Sequence, residues 1–239
     1  GSVSAAVTAL RRDGINTIAL VTDAWAPQVN GVVTTLEHVV AELDAMGHQV
    51  TVINPGDFRT VPCPTYPSIR LAVFPGAEDG RRLRALRPDA VHIATEGPLG
   101  HAARAFCIAH AWPFTTSFHT QFPEYVRARA PIPLQWSYAW LRRFHGAAAR
   151  TLVATRTVSE RLAARGFGNL TRWMRGVDTG LFRPVGKLAL DLPRPISLFV
   201  GRVAVEKNIE AFLDLSLPGT KVVIGDGPDL ARLRARYAD

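Results

Sequence analysis

The feature that most constrains the fold is an alternation of short apolar runs with segments of helical periodicity. Thr17–Val21 is a continuous apolar run of the kind found in strands buried on both faces. Residues 33–46 then carry apolar side chains at helical spacing, and a second strand is predicted at Gln49–Ile53. We therefore predict a β-α-β unit, whose two strands are parallel and whose crossover is right-handed.

The same alternation continues along most of the chain. Further strands are predicted at residues 90–94, 114–118 and 151–154, and helices at residues 99–111, 134–148 and 158–165. Residues 54–80 are rich in proline and have no period, so we predict a long loop there with one short strand near residues 70–74.

A change of composition at residues 176–195 predicts two domains. This segment is rich in proline and glycine, and after it the alternation restarts with strands at 196–200 and 221–224 and helices at 208–215 and 228–237. We predict an N-terminal Rossmann-like domain at residues 1–180, a linker at 181–194 and the start of a second domain at 195–239. Two strands do not form a covered parallel sheet, so we expect this second domain to be incomplete.

Composition narrows the class of protein. Apolar residues make up 47% of the chain and charged residues 20%, which is typical of a globular enzyme rather than a disordered chain. The net charge of +8 favours an anionic partner: a nucleotide, an acidic lipid or nucleic acid. The two cysteines form no CxxC pair, which indicates a reducing compartment, and we expect a cytoplasmic protein.

Polar or glycine-containing segments follow four of the predicted strands. They contain Asn30 and Gly31 in PQVNGV, His119 in SFHTQFPEY, Arg202 and Lys207 in GRVAVEKN, and the GDGP turn at residues 225–228. Ligands of open α/β sheets bind at the carboxyl ends of strands, and arginine and lysine are the side chains that hold a diphosphate. Each segment also has a structural explanation: a turn, a hydrogen-bonded histidine or solvated charges.

Several other chemistries are disfavoured. The chain has no GxGxxG after a strand, no GxxxxGK[ST] and no GxSxG, which argues against a classical dehydrogenase, a P-loop hydrolase and an α/β-hydrolase. Its histidines do not stand at metal-ligand spacing and no DxD is present, so we expect neither a metal nor any other cofactor.

Six segments in this order resemble the retaining glycosyltransferases of family 4, which have the two-domain GT-B fold. They are ALVTDAWAPQVNGVVTTL, HIATEGPLG, FTTSFHTQFPEYV, RGVDTGLFRP, GRVAVEKNIEAF and VVIGDGP, and they cover nearly the whole chain. Within the family the chain is similar to bacterial GDP-mannose-dependent α-mannosyltransferases and to sulfoquinovosyl-diacylglycerol synthases.

The resemblance implies a function and roles for particular residues. It implies transfer of a hexose, mannose from GDP-mannose being favoured, to a lipid or glycan acceptor with retention of anomeric configuration and without a metal. His119 would contact the donor sugar, and Arg202 and Lys207 would stabilise the departing nucleoside diphosphate. The other implied positions are Asn30, Gly31, Gly225, Asp226 and Gly227 on the donor side and Glu96 and Gly97 on the acceptor side.

The chain departs from the family pattern in one respect. The family has an E-x7-E motif that binds the donor sugar and ribose, whereas here no two glutamates stand eight apart and the last one is Glu210. The resemblance therefore implies that the C-terminal part is missing and that these 239 residues alone are inactive.

Two alternatives and one further partner follow from the sequence. The alternatives are a sugar-nucleotide epimerase on the same fold, which would need carboxylates for acid–base work, and a non-catalytic module that binds a nucleotide or lipid. Aromatic and basic residues at 134–148, with Arg81, Arg82, Arg84 and Arg87, suit peripheral contact with an anionic membrane, or else a packed core with solvated arginines. Nucleic acid is not an expected partner.

Overall fold

The computed structural model describes residues 14–63, 66–119, 133–184 and 190–237, with side chains for all of these except residues 66–69. The chain divides into two compact units, Gly1–Val177 and Asp178–Asp239. Each unit is described by itself below. The exact domain bounds given by the sequence stay a prediction.

The first unit alternates strands and helices. Its strands are β1 Thr17–Val21, β2 Gln49–Ile53, β3 Thr60–Cys63, β4 Tyr66–Ala72, β5 Ala90–Ile93, β6 Phe114–Phe118, β7 Arg150–Val153 and β8 Leu170–Arg172. Its helices are α1 Gly31–Ala45, α2 Gly76–Leu86, α3 Pro98–Ala109, α4 Leu134–His145 and α5 Arg156–Ala163.

Six of these strands form one parallel sheet in the order β2-β1-β5-β6-β7-β8. Ile18 of β1 lies opposite Val50 of β2 on one side and Ala90 of β5 on the other. The chain therefore moves outward from β1 to β2 and then returns to the other side of β1 to add β5. The predicted α/β fold class, a Rossmann-like parallel sheet, is confirmed.

Alternating side chains of β1 show how the helices cover both faces of the sheet. Ala19 and Val21 belong to the larger core, to which α2, α3 and α4 contribute, whereas Leu20 packs with Leu36 of α1 on the opposite face. Because both faces are covered, β1 reads as a continuous apolar run rather than as an alternation, whereas the equally buried β6 contains Thr115, Thr116 and Ser117.

The prediction of a long loop at residues 54–80 is wrong, although the short strand predicted near residues 70–74 overlaps the end of β4. A short 3-10 turn, Pro55–Asp57, precedes an antiparallel hairpin of β3 and β4, and α2 begins at Gly76. The buried face of α2 contains Asp79 and Gly80 beside Leu83. A Cβ at Gly80 would lie 2.8 Å from the Phe106 ring, so an aromatic side chain of α3 fills the place of an apolar residue. The sequence of α2 therefore lacks the regular spacing of apolar residues by which a helix is predicted.

The second unit contains β9 Ile196–Val200, α6 Ile209–Leu213, β10 Thr220–Ile224 and α7 Leu230–Arg236. β9 and β10 pair in parallel as a separate two-stranded sheet. Val203, Ile209 and Leu233 form its small core. As predicted, the alternation restarts here as a separate α/β unit.

Candidate functional site

The sheet order places a switch point between β1 and β5. α1 follows β1 on one face and α3 follows β5 on the other, so the two connections diverge beyond the carboxyl ends of these strands. Open α/β sheets bind ligands at such a crevice. The connection after β1 carries Asn30 and Gly31, the one after β5 carries Glu96 and Gly97, and His119 directly follows neighbouring β6.

Asn30 and Gly31 form an open helix N-terminus. Asn30 caps α1, because its Oδ1 accepts hydrogen bonds from the backbone N–H groups of Val32 at 3.0 Å and Val33 at 3.1 Å. Gly31 is exposed, and the nearest atom to a Cβ placed there is Nη1 of Arg175, at 4.0 Å. Packing in the described structure therefore does not require glycine at position 31, and a ligand backbone or phosphate can approach closely.

Gly97 has a different explanation. A Cβ at Gly97 would lie 2.3 Å from Cγ of Asp23, a buried side chain that sequence reasoning missed. The Asp23 carboxylate accepts hydrogen bonds from the N–H of Leu99 at 2.9 Å, the N–H of Gly100 at 3.3 Å and the hydroxyl of Thr95 at 2.8 Å. Burial raises the pKa of Asp23, and these hydrogen bonds oppose the shift. Glycine at 97 is therefore needed for packing, and its acceptor-side role stays a prediction.

Glu96 is held by a buried polar chain. Its Oε1 lies 3.1 Å from Nε2 of His145, whose Nδ1 lies 2.9 Å from the hydroxyl of Thr116, and Thr116 in turn contacts Thr151 at 3.0 Å. The His145 side chain is fully buried, whereas that of Glu96 is 12% exposed. Glu96 is thus fixed at the border between the core and the crevice, which suits a carboxylate that orients a ligand hydroxyl.

His119 is a half-buried histidine beside a cation. Nδ1 of His119 lies 3.4 Å from Nη2 of Arg175, and its ring contacts Trp173 edge-on at a centroid distance of 5.9 Å. Its Nε2 is buried and has no hydrogen-bond partner in the described part of the chain. Burial, and to a smaller extent the neighbouring His92, Arg175 and His145, together lower the pKa of His119 to about 3. His119 is therefore a neutral imidazole at neutral pH.

Arg175 is the main residue of this region that sequence reasoning missed. It follows β8, a strand of only three residues that was not predicted, so its position at a strand end was not apparent. Its guanidinium lies beside both His119 and Gly31. In the described ranges it forms no ion pair with a carboxylate, which leaves a cation at the open N-terminus of α1.

In the second unit, two glycines bring the segments after β9 and β10 together. A Cβ at Gly225 would lie 1.8 Å from the carbonyl oxygen of Gly201, and one at Gly227 would lie 2.1 Å from that of Val203. These glycines of the GDGP turn are therefore required by backbone packing, whatever their contact with a ligand.

That packing positions the basic residues of the second unit. The N–H of Val203 donates to the carbonyl oxygen of Asp226 at 2.8 Å, so residues 201–203 lie along the GDGP turn. Arg202 is half-buried, and Lys207 is exposed at the end of the 3-10 turn Val205–Lys207. Because β9 and β10 are parallel, these segments share one edge of the small sheet. The predicted phosphate-binding residues thus cluster within their own unit.

The aromatic and basic residues proposed for membrane contact divide between core and surface. Tyr138 and Phe144 of α4 are buried, whereas Trp136 is 68% and Trp140 40% exposed. Of the arginines on α2, Arg81 and Arg82 pair with Glu78, and Arg84 contacts His110. Within the described ranges, no helix has the length and apolar character needed to cross a bilayer.

No three histidine, cysteine, aspartate or glutamate side chains of the described residues are grouped so that they could hold a metal ion. The expectation that the site works without a metal stays a prediction.

A parallel sheet with a polar crevice at its switch point defines a class of α/β proteins that bind small ligands between the diverging connections. The profile described as "Glycosyltransferase Family 4" matches residues 29–181, which is more than half of the chain. The chain therefore belongs to glycosyltransferase family 4, as its motifs had indicated.

Curated relatives are similar over most of the chain. A GDP-mannose-dependent alpha-mannosyltransferase of Mycobacterium tuberculosis is 33% identical, with 91% of this chain and 65% of the relative aligned. One with the same description from Mycolicibacterium smegmatis is 32% identical over the same shares. A sulfoquinovosyl transferase of Arabidopsis thaliana is 27% identical over 86% of this chain and 46% of the relative. The chain thus spans less than two thirds of the length of these relatives.

Proposed function

We propose that this protein is a retaining glycosyltransferase that transfers mannose from GDP-mannose to a lipid or glycan acceptor. Similarity to two mannosyltransferases described as GDP-mannose-dependent supports the donor, and similarity to the sulfoquinovosyl transferase and to an alpha-monoglucosyldiacylglycerol synthase of Acholeplasma laidlawii supports a lipid acceptor. The observation that carries the proposal is the open N-terminus of α1, where Gly31 is not required by packing and a cation lies beside it.

Each unit, taken by itself, offers groups that suit a phosphate of the donor. The N-terminus of α1 carries partial positive charge and exposed N–H groups, which favour a phosphate. Arg202 binds phosphate oxygens as a planar fork and Lys207 as a point charge. As the glycosidic bond breaks, charge accumulates on the departing diphosphate, and fixed cations lower the barrier by stabilising it. No step of this scheme needs a metal.

His119 and Glu96 would contact the sugars. A neutral His119, whose Nε2 has no hydrogen-bond partner among the residues that the structure describes, exchanges a hydrogen bond with a donor hydroxyl. Glu96, fixed by His145, offers a carboxylate oxygen to an acceptor hydroxyl.

The epimerase alternative is weaker because two acidic side chains that the structure describes at the crevice are already engaged. Asp23 caps α3 and Glu96 bonds to His145, so neither is a free acid–base group.

A transfer assay tests the proposal. The longest natural polypeptide that contains these residues is incubated with GDP-mannose or UDP-glucose and a lipid extract, and glycolipid products are analysed by mass and anomeric configuration. We expect a product that retains the donor's configuration, with GDP-mannose as the preferred donor. Release of nucleotide with an epimerised sugar, or no turnover with any sugar nucleotide, would overturn the proposal.

A further inference from the structure

The contact between Arg175 and His119 fixes where the ring proton lies. Every N–H of a guanidinium donates and none accepts. Since Nη2 of Arg175 lies 3.4 Å from Nδ1 of His119, Nδ1 must present its lone pair to this contact. A neutral imidazole carries one proton, so the proton resides on Nε2.

Among the described residues, no group near His119 favours a doubly protonated ring. Those that act on its charge are His92, His145 and Arg175, none of them acidic, and its ring edge packs on Trp173. In the described part of the chain no carboxylate is bonded to either His119 or Arg175. A protonated His119 would therefore lie next to a cation, with no counter-charge from the described residues.

Within the described ranges, the nitrogen that carries the proton has no hydrogen-bond partner. Nε2 of His119 is buried and unbonded among the described residues, although buried polar atoms in native proteins almost always have a partner. An N–H in this position gains a hydrogen bond when a ligand oxygen enters, which distinguishes it from a structural histidine that is already satisfied.

We propose that Arg175 is a positioning residue, which holds His119 in the tautomer protonated on Nε2 so that this nitrogen donates a hydrogen bond to an oxygen of the bound sugar donor. The role in donor binding rests on the proposed function, but the tautomer does not. Because the guanidinium also lies beside Gly31, Arg175 couples the sugar contact to the end of α1 where the diphosphate would bind.

Nitrogen NMR measures the tautomer directly. Long-range ¹H–¹⁵N spectra of the ¹⁵N-labelled 239-residue chain at pH 7.5 distinguish protonated from unprotonated ring nitrogens, and His119→Gln assigns the signals. We expect a single tautomer protonated on Nε2. Arg175→Met, which removes the donor and keeps the length, should make the tautomer protonated on Nδ1 detectable, whereas Arg175→Lys, which can still donate, should restore the wild-type pattern.

Controls separate this role from a general effect on the fold. Arg172→Met removes another exposed arginine of the same region, whose guanidinium lies near the sulfur of Met174, and should leave the tautomer unchanged. Amide spectra and near-UV circular dichroism check that each variant is folded. A wild-type ring that is protonated on Nδ1 or on both nitrogens, or a tautomer ratio that Arg175→Met leaves unchanged, would overturn the proposal.

The kinetic consequence is tested in the longer polypeptide. Arg175→Met should lower kcat about tenfold, as expected for a lost hydrogen bond involving a charged group, with Arg175→Lys rescuing part of it. If the wild-type protein transferred no sugar while the NMR result held, the proposed function would fail and the positioning of His119 would stand. If transfer occurred and kcat were unaffected, the donor-binding role of Arg175 would be wrong.

Discussion

Asp79 gives the sharpest prediction about stability. Its side chain is completely buried in the first turn of α2, and neither carboxylate oxygen has a hydrogen-bond partner among the described residues. Its pKa is raised from 3.8 to about 7, chiefly by burial and secondly by the charge of Asp23, while Arg82 opposes the shift. The same buried region raises the pKa of the Cys107 thiol to about 12. We predict that Asp79→Asn stabilises the protein at neutral and alkaline pH.

The sign follows from proton linkage. Between its unfolded and folded pKa values, Asp79 holds a proton in the folded state and releases it on unfolding, so stability is greatest at low pH and falls as pH rises through this window. The two pKa values differ by about 3, and about 1.4 kcal/mol for each gives a loss of about 4 kcal/mol. The N-terminus of α2 favours an anion by about 1 kcal/mol, which reduces the loss to about 3 kcal/mol.

Urea unfolding between pH 5 and pH 8 measures this loss. All five tryptophans lie in the first unit, so fluorescence reports the unit that contains Asp79. The free energy of unfolding of Asp79→Asn relative to wild type should rise by about 2 to 3 kcal/mol between these pH values. Asp44→Asn, the same change at an exposed position of α1, should show almost no rise. A difference between Asp79→Asn and wild type that is the same at pH 5 and pH 8 would refute the reasoning.

Two further predictions concern the glycines and the membrane. Gly97→Ala should destabilise the first unit by about 1–3 kcal/mol because its methyl group meets Asp23, whereas Gly31→Ala should leave stability nearly unchanged and weaken GDP binding in calorimetry. The pair Trp136→Ser and Trp140→Ser should reduce co-sedimentation with anionic vesicles, because these exposed rings lie next to arginines on α4.

The predictions for Gly31 and for the membrane each have an outcome that would contradict them, and the membrane prediction has a control variant. Unchanged GDP affinity in a folded Gly31→Ala protein would contradict the phosphate site at α1. For the membrane, Leu215→Ser with Leu217→Ser alters two exposed apolar residues of the other unit and should not change sedimentation. Equal binding of wild type to neutral and anionic vesicles, or to neither, would end the idea of membrane contact.

The sequence predicted the strands and helices whose buried residues are themselves apolar, because their spacing is visible in the sequence. β1 is a continuous apolar run because helices cover both faces of the sheet, whereas β2 at the sheet edge alternates between apolar and polar residues and the buried β6 reads FTTSF. The ends of β1, β5 and β6 locate the crevice. α2 was not predictable, because its buried face holds Asp79 and Gly80, with an α3 ring over the glycine. β8 has only three residues, too few to show a period in the sequence. Because this strand was not predicted, the position of Arg175 at a strand end was not predicted either.

Within the candidate site, sequence could not tell two kinds of glycine apart. Gly97, Gly225 and Gly227 stand where a Cβ would collide with a neighbouring carboxylate or carbonyl, contacts that only the folded chain creates. A Cβ at Gly31 would meet no close neighbour, yet in the sequence Gly31 cannot be distinguished from these packed glycines. Whether a glycine is required by packing or leaves room for a ligand can therefore be decided only from distances in the folded chain.

The central claim is that the cations after β9 stabilise a departing nucleoside diphosphate. The most direct test is to measure kcat of Arg202→Ala and Lys207→Ala in mannose transfer from GDP-mannose. Arg234→Ala, which removes an exposed arginine of α7, serves as the matched control. We predict a loss of about 10²–10³ in kcat for each of the first two variants and almost none for the control. Near-normal kcat in both Arg202→Ala and Lys207→Ala, in proteins that remain folded, would contradict the account.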